Sequence, residues 1–230
     1  GISFITVIIG LLFIKTKAVT AKTLTGNVFI DAVEGLKYIF SRRVILNTLI
    51  AVLAVGTFAM NSDVLIPVFV KQVLHHDAKS YSSILVVIGI GSLIGAMYIS
   101  SKSKKGPSKH ILYGSAFILS LCLICLGFVT NFYLAMLIAL FIGLMNMMFL
   151  ASANSTIQLD TSNDFRGRVM SVYSLAFIGT TPIGNFLVGS ITEYFGANIG
   201  FLVCGAVTLA CLLLLVFLIK RKERLTAKIA

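Results

Sequence analysis

FYLAMLIALFIGLMNMMFLASAN, the stretch from Phe132 to Asn154, runs 23 positions without a charged side chain. As a helix rising 1.5 Å per residue it spans about 34 Å, enough to cross a hydrocarbon core roughly 30 Å thick. Five other stretches repeat the pattern: Val44 to Val70, Ser80 to Ser101, Ile111 to Val129, Val169 to Ile191 and Ile199 to Ile219. The sequence therefore predicts six transmembrane helices. Composition agrees: of 230 residues 58% are hydrophobic and only 12% charged, with a mean hydropathy of +1.01. A soluble domain carries about 25% charged residues, so soluble, disordered, collagenous and small secreted classes are excluded. The fold class is all-α membrane protein, a six-helix transmembrane bundle.

Outside the bundle the chain divides in three. Residues 1–14, Gly1 to Ile14, are apolar but too short to span, and Lys15 and Lys17 follow the apolar stretch rather than precede it as in a signal peptide. This reads as the end of a truncated transmembrane helix, and with no initiating Met the chain reads as a fragment of a longer protein. Residues 15–43 form a basic linker, 44–219 the bundle, and 220–230 a basic tail. Within the linker, from Asn27 to Arg43, apolar Val28, Phe29, Ala32, Val33, Leu36, Ile39 and Phe40 recur near a 3.6-residue period. Asp31 and Glu34 fall early and Arg42 and Arg43 late, as the helix dipole favours. The expectation is an amphipathic helix lying on the membrane surface.

Charge sets orientation. The formal net charge is +11, with nineteen Lys and Arg. Grouped by alternate connections, Lys15, Lys17, Lys22, Lys37, Arg42, Arg43, Lys102, Lys104, Lys105, Lys109, Arg166, Arg168 and the five basic residues of the tail share one side. Lys71 and Lys79 are left on the other. By the positive-inside rule the crowded side, with the C-terminus, is cytoplasmic, and the expected location is the cell membrane. The basic balance is thus topological, with no nucleic-acid partner implied. Cys122, Cys125, Cys204 and Cys211 lie in apolar runs, where they serve as small lipid-compatible residues.

One segment carries a specific likeness. Asp164-Phe165-Arg166-Gly167-Arg168-Val169-Met170-Ser171-Val172-Tyr173, followed by Gly179-Thr180-Thr181-Pro182-Ile183-Gly184, resembles the cytoplasmic loop and eleventh helix of major facilitator superfamily transporters of the enterobactin-exporter and macrolide-efflux type. Glu34-Gly35-Leu36-Lys37-Tyr38-Ile39 and Leu65-Ile66-Pro67-Val68-Phe69-Val70 resemble the same group. The likeness implies the C-terminal half of such a transporter: helices seven to twelve, preceded by the end of helix six. It also implies alternating access with an N-terminal six-helix half, and export of a small amphipathic drug, macrolide or siderophore in exchange for protons, with nutrient uptake the alternative. Two three-helix repeats are expected, seven to nine on ten to twelve. The connection from Gly95 to Gly106 stands where the superfamily carries a Gly, Asp and basic signature but contains no acid, which weakens a charge-relay role there.

Ionisable groups inside a span are costly and point to function. Asp63 is the candidate, six residues past the centre of its span, about 9 Å outward. With Asn61, Ser62 and Pro67 nearby the helix is expected to be bent or loosened, since proline removes a backbone hydrogen bond. On a regular helix Asn61 and Asp63 point about 200° apart, so sharing one cavity requires distortion. A substrate or proton pathway of Asp63, Asn61, Asn146 and Asn154 is expected, with Met145, Met147 and Met148 offering an adaptable apolar surface. Packing and interhelical hydrogen bonds are the competing roles. Arg166 and Arg168, with Asp164 and Asp160 in reach, read as an inner gate or as simple anchoring charges. Pro67 and Pro182 read as helix kinks. Gly91 and Gly95, and Gly184 to Gly189, read as packing positions. Cys122-Leu123-Ile124-Cys125 lacks an activating neighbour and His75-His76-Asp77 lacks further ligands, so no redox or metal site is expected and no cofactor is called for. An integral-membrane enzyme needs a nucleophile and base or clustered acids at membrane depth, and that constellation is missing. A non-transporting membrane subunit is the remaining alternative.

Overall fold

A computed structural model describes residues 28–102 and 108–229, except for the side chains of 28–32, 223 and 225–229. The expected end of helix six, most of the linker before Val28, and Ser103 to Pro107 lie outside the described residues. The described chain forms eight helices: α1 Val28–Ser41, α2 Arg43–Phe58, α3 Ser62–Gln72, α4 Ala78–Lys102, α5 Lys109–Gly127, α6 Phe132–Asp160, α7 Arg166–Phe195 and α8 Ala197–Ile229. Six units are long and apolar enough to cross a membrane, with α2 and α3 counting as one, Arg43–Gln72. Five of these contain the stretch expected from sequence and run further at one or both ends, while α5 starts two residues earlier than the expected Ile111 and stops at Gly127, two residues short of the expected Val129.

Local chemistry sets the boundaries. The Asn131 side chain accepts hydrogen bonds from the backbone N–H groups of Tyr133 and Leu134 and so starts α6. Asp77 accepts from the Ser80 N–H at 3.0 Å and starts α4. Gly196, at φ 84°, ends α7 in a conformation that favours glycine, its N–H bonding the Thr192 carbonyl. Arg42 is extended and separates α1 from α2.

Inside a bilayer lipid is as apolar as leucine, so helices associate through close packing rather than water exclusion. Glycines make that closeness possible. A Cβ at Gly91 would strike the Leu140 carbonyl, and one at Gly143 the Ile88 carbonyl, so α4 and α6 lock together through glycine on both sides. Ser92 adds a 3.2 Å hydrogen bond to the Gly143 carbonyl. A Cβ at Gly205 would lie 2.7 Å from the Ser120 carbonyl, bringing α8 onto α5. Between the helices, Phe69 of α3 meets Phe201 of α8 edge to face at 5.3 Å. Gly189, one of the expected packing positions, sits more loosely, its nearest neighbour Val64 Cγ1 being 3.9 Å from a built Cβ.

The packing pattern repeats. Exchanging the α2–α3 span, α4 and α5 for α6, α7 and α8 turns the α4–α6 contact into α2–α7, and the α5–α6 contact into α2–α8; both exist. The α2–α6 and α5–α8 contacts map onto themselves. The contact of α7 with α8 has no counterpart of similar extent between α4 and α5. Two three-helix units are therefore visible in the packing though not in residue identities.

Candidate functional site

The span expected to be loosened is broken. Helix α2 stops at Phe58, and α3 restarts at Ser62 after Ala59, Met60 and Asn61. Asn61 bridges the gap: its Nδ2 donates to the Thr57 carbonyl at 2.7 Å, and its own carbonyl accepts from Val64 and Leu65. The side chain is 1% exposed and faces α7. A Cβ at Gly184 would strike the Thr57 carbonyl and lie 2.7 Å from Asn61 Oδ1, an oxygen with no hydrogen-bond partner. One turn earlier a Cβ at Gly56 would lie 2.7 Å from Thr180 Oγ1. Gly56 and Gly184 thus let α2 and α7 approach just before and at the discontinuity.

Asp63 lies on a different face. It sits in the first turn of α3, where a carboxylate is favoured by the helix dipole, and its side chain is exposed. The distortion leaves Asn61 buried against α7 and Asp63 uncovered, so the two do not line one surface. Ser62, between them, turns inward to an apolar crevice lined also by Phe69, Ile84, Ile142 and Phe201. Pro67 cannot donate to the Asp63 carbonyl, yet α3 continues through it, as α7 continues through exposed Pro182.

On α6, Asn146 is half-buried and its Oδ1 has no partner. Asn154 lies two turns further, accepting from Gln158 at 2.5 Å and reaching the Tyr173 hydroxyl of α7. Asn146 and Asn154 are therefore separate along the helix, the first with an unpaired amide oxygen and the second tied into the α6–α7 contact.

The end of the bundle carrying α1 holds a polar and aromatic cluster. Arg168 Nη1 donates to Glu34 Oε2 of α1 at 2.7 Å. Tyr38 stacks on Phe165, with ring centroids 4.5 Å apart and planes 12° from parallel, and its hydroxyl accepts from the Ser162 N–H. Hydrogen bonds from the Ser162 side chain and backbone, then the Arg42 guanidinium, hold the Tyr38 phenol below its usual range. The Arg42 guanidinium lies over the Tyr38 ring and that of Arg168 over the Phe165 ring. A Cβ at Gly35 would meet Arg168 Cβ at 3.2 Å, so α1 rests on the start of α7. Asp164 and Arg166 are exposed beside this contact. The sequence pointed to Asp160 and Asp164 as partners of the arginines; Glu34, Tyr38, Phe165 and Ser162 were not foreseen in that role. A signal existed, because the Glu34 to Ile39 and Asp164 to Tyr173 segments carried the same family likeness, but nothing in one dimension said they touch.

A family described as transmembrane secretion effector matches residues 1–228. Two transporters of Bacillus subtilis (strain 168) are similar. The uncharacterized MFS-type transporter YfmI is 29% identical over 184 residues, 77% of this chain and 44% of its own length. The uncharacterized MFS-type transporter YwfA is 29% identical over 145 residues, 63% of this chain and 35% of its own length. Each match thus spans less than half of the relative.

Proposed function

From the premise that this chain belongs to the transmembrane secretion effector family of major facilitator transporters, we propose that it forms the C-terminal six-helix half of a secondary transporter. That transporter exports small amphipathic molecules such as drugs, macrolides or siderophores in exchange for protons, by alternating access. The observation that carries the two-half reading is Asp63, an exposed carboxylate within the Arg43–Gln72 span. A charge facing hydrocarbon is expensive, so that face calls for water or a protein partner, which a cavity shared with an N-terminal half supplies. The family's description as a secretion effector supports export over uptake.

In this reading Asp63 exchanges protons or holds a cationic part of the substrate. Asn146, with an amide oxygen to offer, contributes polar contact among Met145, Met147 and Met148. Asn61 acts from behind the cavity wall by holding the α2–α3 break against α7, and Asn154 by tying α6 to α7. Arg168, with Arg166 and Asp164, forms the inner gate at the α1 end, which is cytoplasmic, as is the C-terminus, in the cell membrane. Pro67 and Pro182 give α3 and α7 the freedom to flex.

Transport by the intact protein in inverted vesicles tests the proposal. ATP-driven acidification of the lumen should drive substrate inward, the equivalent of export, and collapse of the proton gradient should stop it. Accumulation only with the opposite gradient would mark an uptake carrier. Asp63→Asn, which cannot titrate, should transport far less than Asp63→Glu at equal abundance. Full activity of the Asn variant at every pH would remove Asp63 from the mechanism.

A further inference from the structure

Helix α1 has two faces. At 100° per residue, Gly35, Tyr38 and Ile39 fall on one side, where Gly35 meets Arg168 of α7, Tyr38 stacks on Phe165 of the preceding loop and Ile39 is buried. Val33, Leu36, Lys37 and Phe40 fall on the opposite side. There Val33 is 53%, Leu36 41% and Phe40 68% exposed, against 1% for Ile39. The sequence grouped all these apolar residues on one stripe; folding divides them, burying Ile39 and leaving the other three uncovered.

We propose that this outer face docks onto an anionic bilayer surface, and that by doing so it fastens α1 and, through α1, the loop between α6 and α7. Three observations select lipid as the occupant. First, α1 passes through the single extended residue Arg42 into the membrane span beginning at Arg43, so Phe40 lies within a turn of the membrane boundary. Second, the apolar patch is flanked by exposed Lys37 and Arg43, while nearby Glu34 is turned toward Arg168. Apolar side chains bordered by cations suit the acyl and headgroup layers of an anionic leaflet. Third, α2, into which α1 leads, also leaves apolar Ile50 and Leu53 exposed, as a lipid-facing span does. The fastening follows from the other contacts of α1: the Tyr38–Phe165 stack and the Ser162 hydrogen bond connect it to the loop, and the Glu34–Arg168 pair to the first turn of α7 just beyond. The lipid contact stands whatever the substrate or direction of transport; only its consequence for a gate rests on the function proposed above.

Hydrogen exchange read by mass spectrometry on the intact transporter tests this. The protein is placed in nanodiscs of phosphatidylcholine alone, or of phosphatidylcholine mixed with phosphatidylglycerol. Adding phosphatidylglycerol should slow exchange across residues 33–41 on the order of tenfold, as expected for two cations near an anionic surface, and should slow residues 161–166 in parallel. Lys37→Glu combined with Phe40→Ser should abolish both effects. Equal exchange in the two bilayers would overturn the proposal, and uniformly slow exchange would indicate that protein from the other half covers the face. Slowing in α1 without slowing in the loop would overturn the fastening. The wild-type comparison decides the lipid contact even if the variant fails to fold. Exchange unaffected by transport variants such as Asp63→Asn would show that this readout and the transport reading fail separately.

Discussion

Arg168 shows how little a pair energy says about a role. Its contact with Glu34 is 24% and 47% exposed on the two sides, so solvent screens it and removal should cost only about 0.2 to 1 kcal/mol. Its significance lies in geometry, because a planar guanidinium can meet a carboxylate and cover the Phe165 ring at once, which lysine cannot. Arg168→Ala is expected to lower transport severalfold with insertion and thermal stability little changed, and Arg168→Lys to keep the anchoring charge without restoring full transport. If the ion pair matters in itself, Glu34→Arg with Arg168→Glu should recover more activity than either change alone. Equal transport by all of these at matched abundance would leave Arg168 a mere anchoring charge. Gly184 gives the contrasting case of a stability residue: alanine there would strike the Thr57 carbonyl and destabilise by about 1 to 3 kcal/mol. Gly114→Ala, which meets nothing within 4 Å, should be neutral or stabilising by up to about 1 kcal/mol. Thermal unfolding of the two variants in detergent should separate them, and identical shifts would contradict the close α2–α7 approach.

At the scale of a helix, Asp77 and α4 make a case testable by pH. The Ser80 N–H, then the Ser80 hydroxyl, hold the Asp77 carboxyl below the usual carboxylate range. A depressed folded-state pKa adds stability above the unfolded value, about 3.9, and that contribution is lost as pH falls through the lower folded value. Protection of the first turn of α4, corrected for intrinsic exchange, should therefore fall below about pH 4 in the wild type. Asp77→Asn, which can still accept the hydrogen bond, should flatten this dependence while keeping the cap, whereas Asp77→Ala should fray the turn at every pH. A pH response persisting in the Asn variant would assign it to another group. The break between α2 and α3 is the other feature of this scale: a polar Asn61 holding a helix interruption against α7 places that interruption inside the bundle rather than at its rim.

For the molecule as a whole, sidedness is the decisive expectation. Grouped by alternate connections of the sequence, the basic residues other than Lys71 and Lys79 are expected on the α1 side, which the positive-inside rule predicts to be cytoplasmic. A cysteine replacing Asp77 should react with an impermeant thiol reagent added outside intact cells. One replacing Ser103, which lies outside the described residues, should react only after permeabilisation. The reverse pattern would invert the orientation of every helix and move the Glu34–Arg168 contact to the outer face.

How much of this was legible follows from which interactions are local. The spans from Val44 to Ile219 could be read directly, because a bilayer imposes a length and a hydropathy that each segment must satisfy on its own. The loosening near Asn61 and Pro67 was legible for the same reason, since it depends on backbone hydrogen bonds within a few residues. The family likeness, too, lay in contiguous stretches. What the sequence by itself determined is therefore the helical membrane class, the number of spans and the distribution of charge. Only the tertiary structure decided that Asn61 turns to Gly184 while Asp63 stays uncovered, and that Arg168 meets Glu34. It alone divided the apolar residues of α1 between a buried and an exposed face. Those outcomes depend on which helices touch and at what rotation, and side-chain contacts more than a hundred residues apart leave no period or composition to read in a single chain.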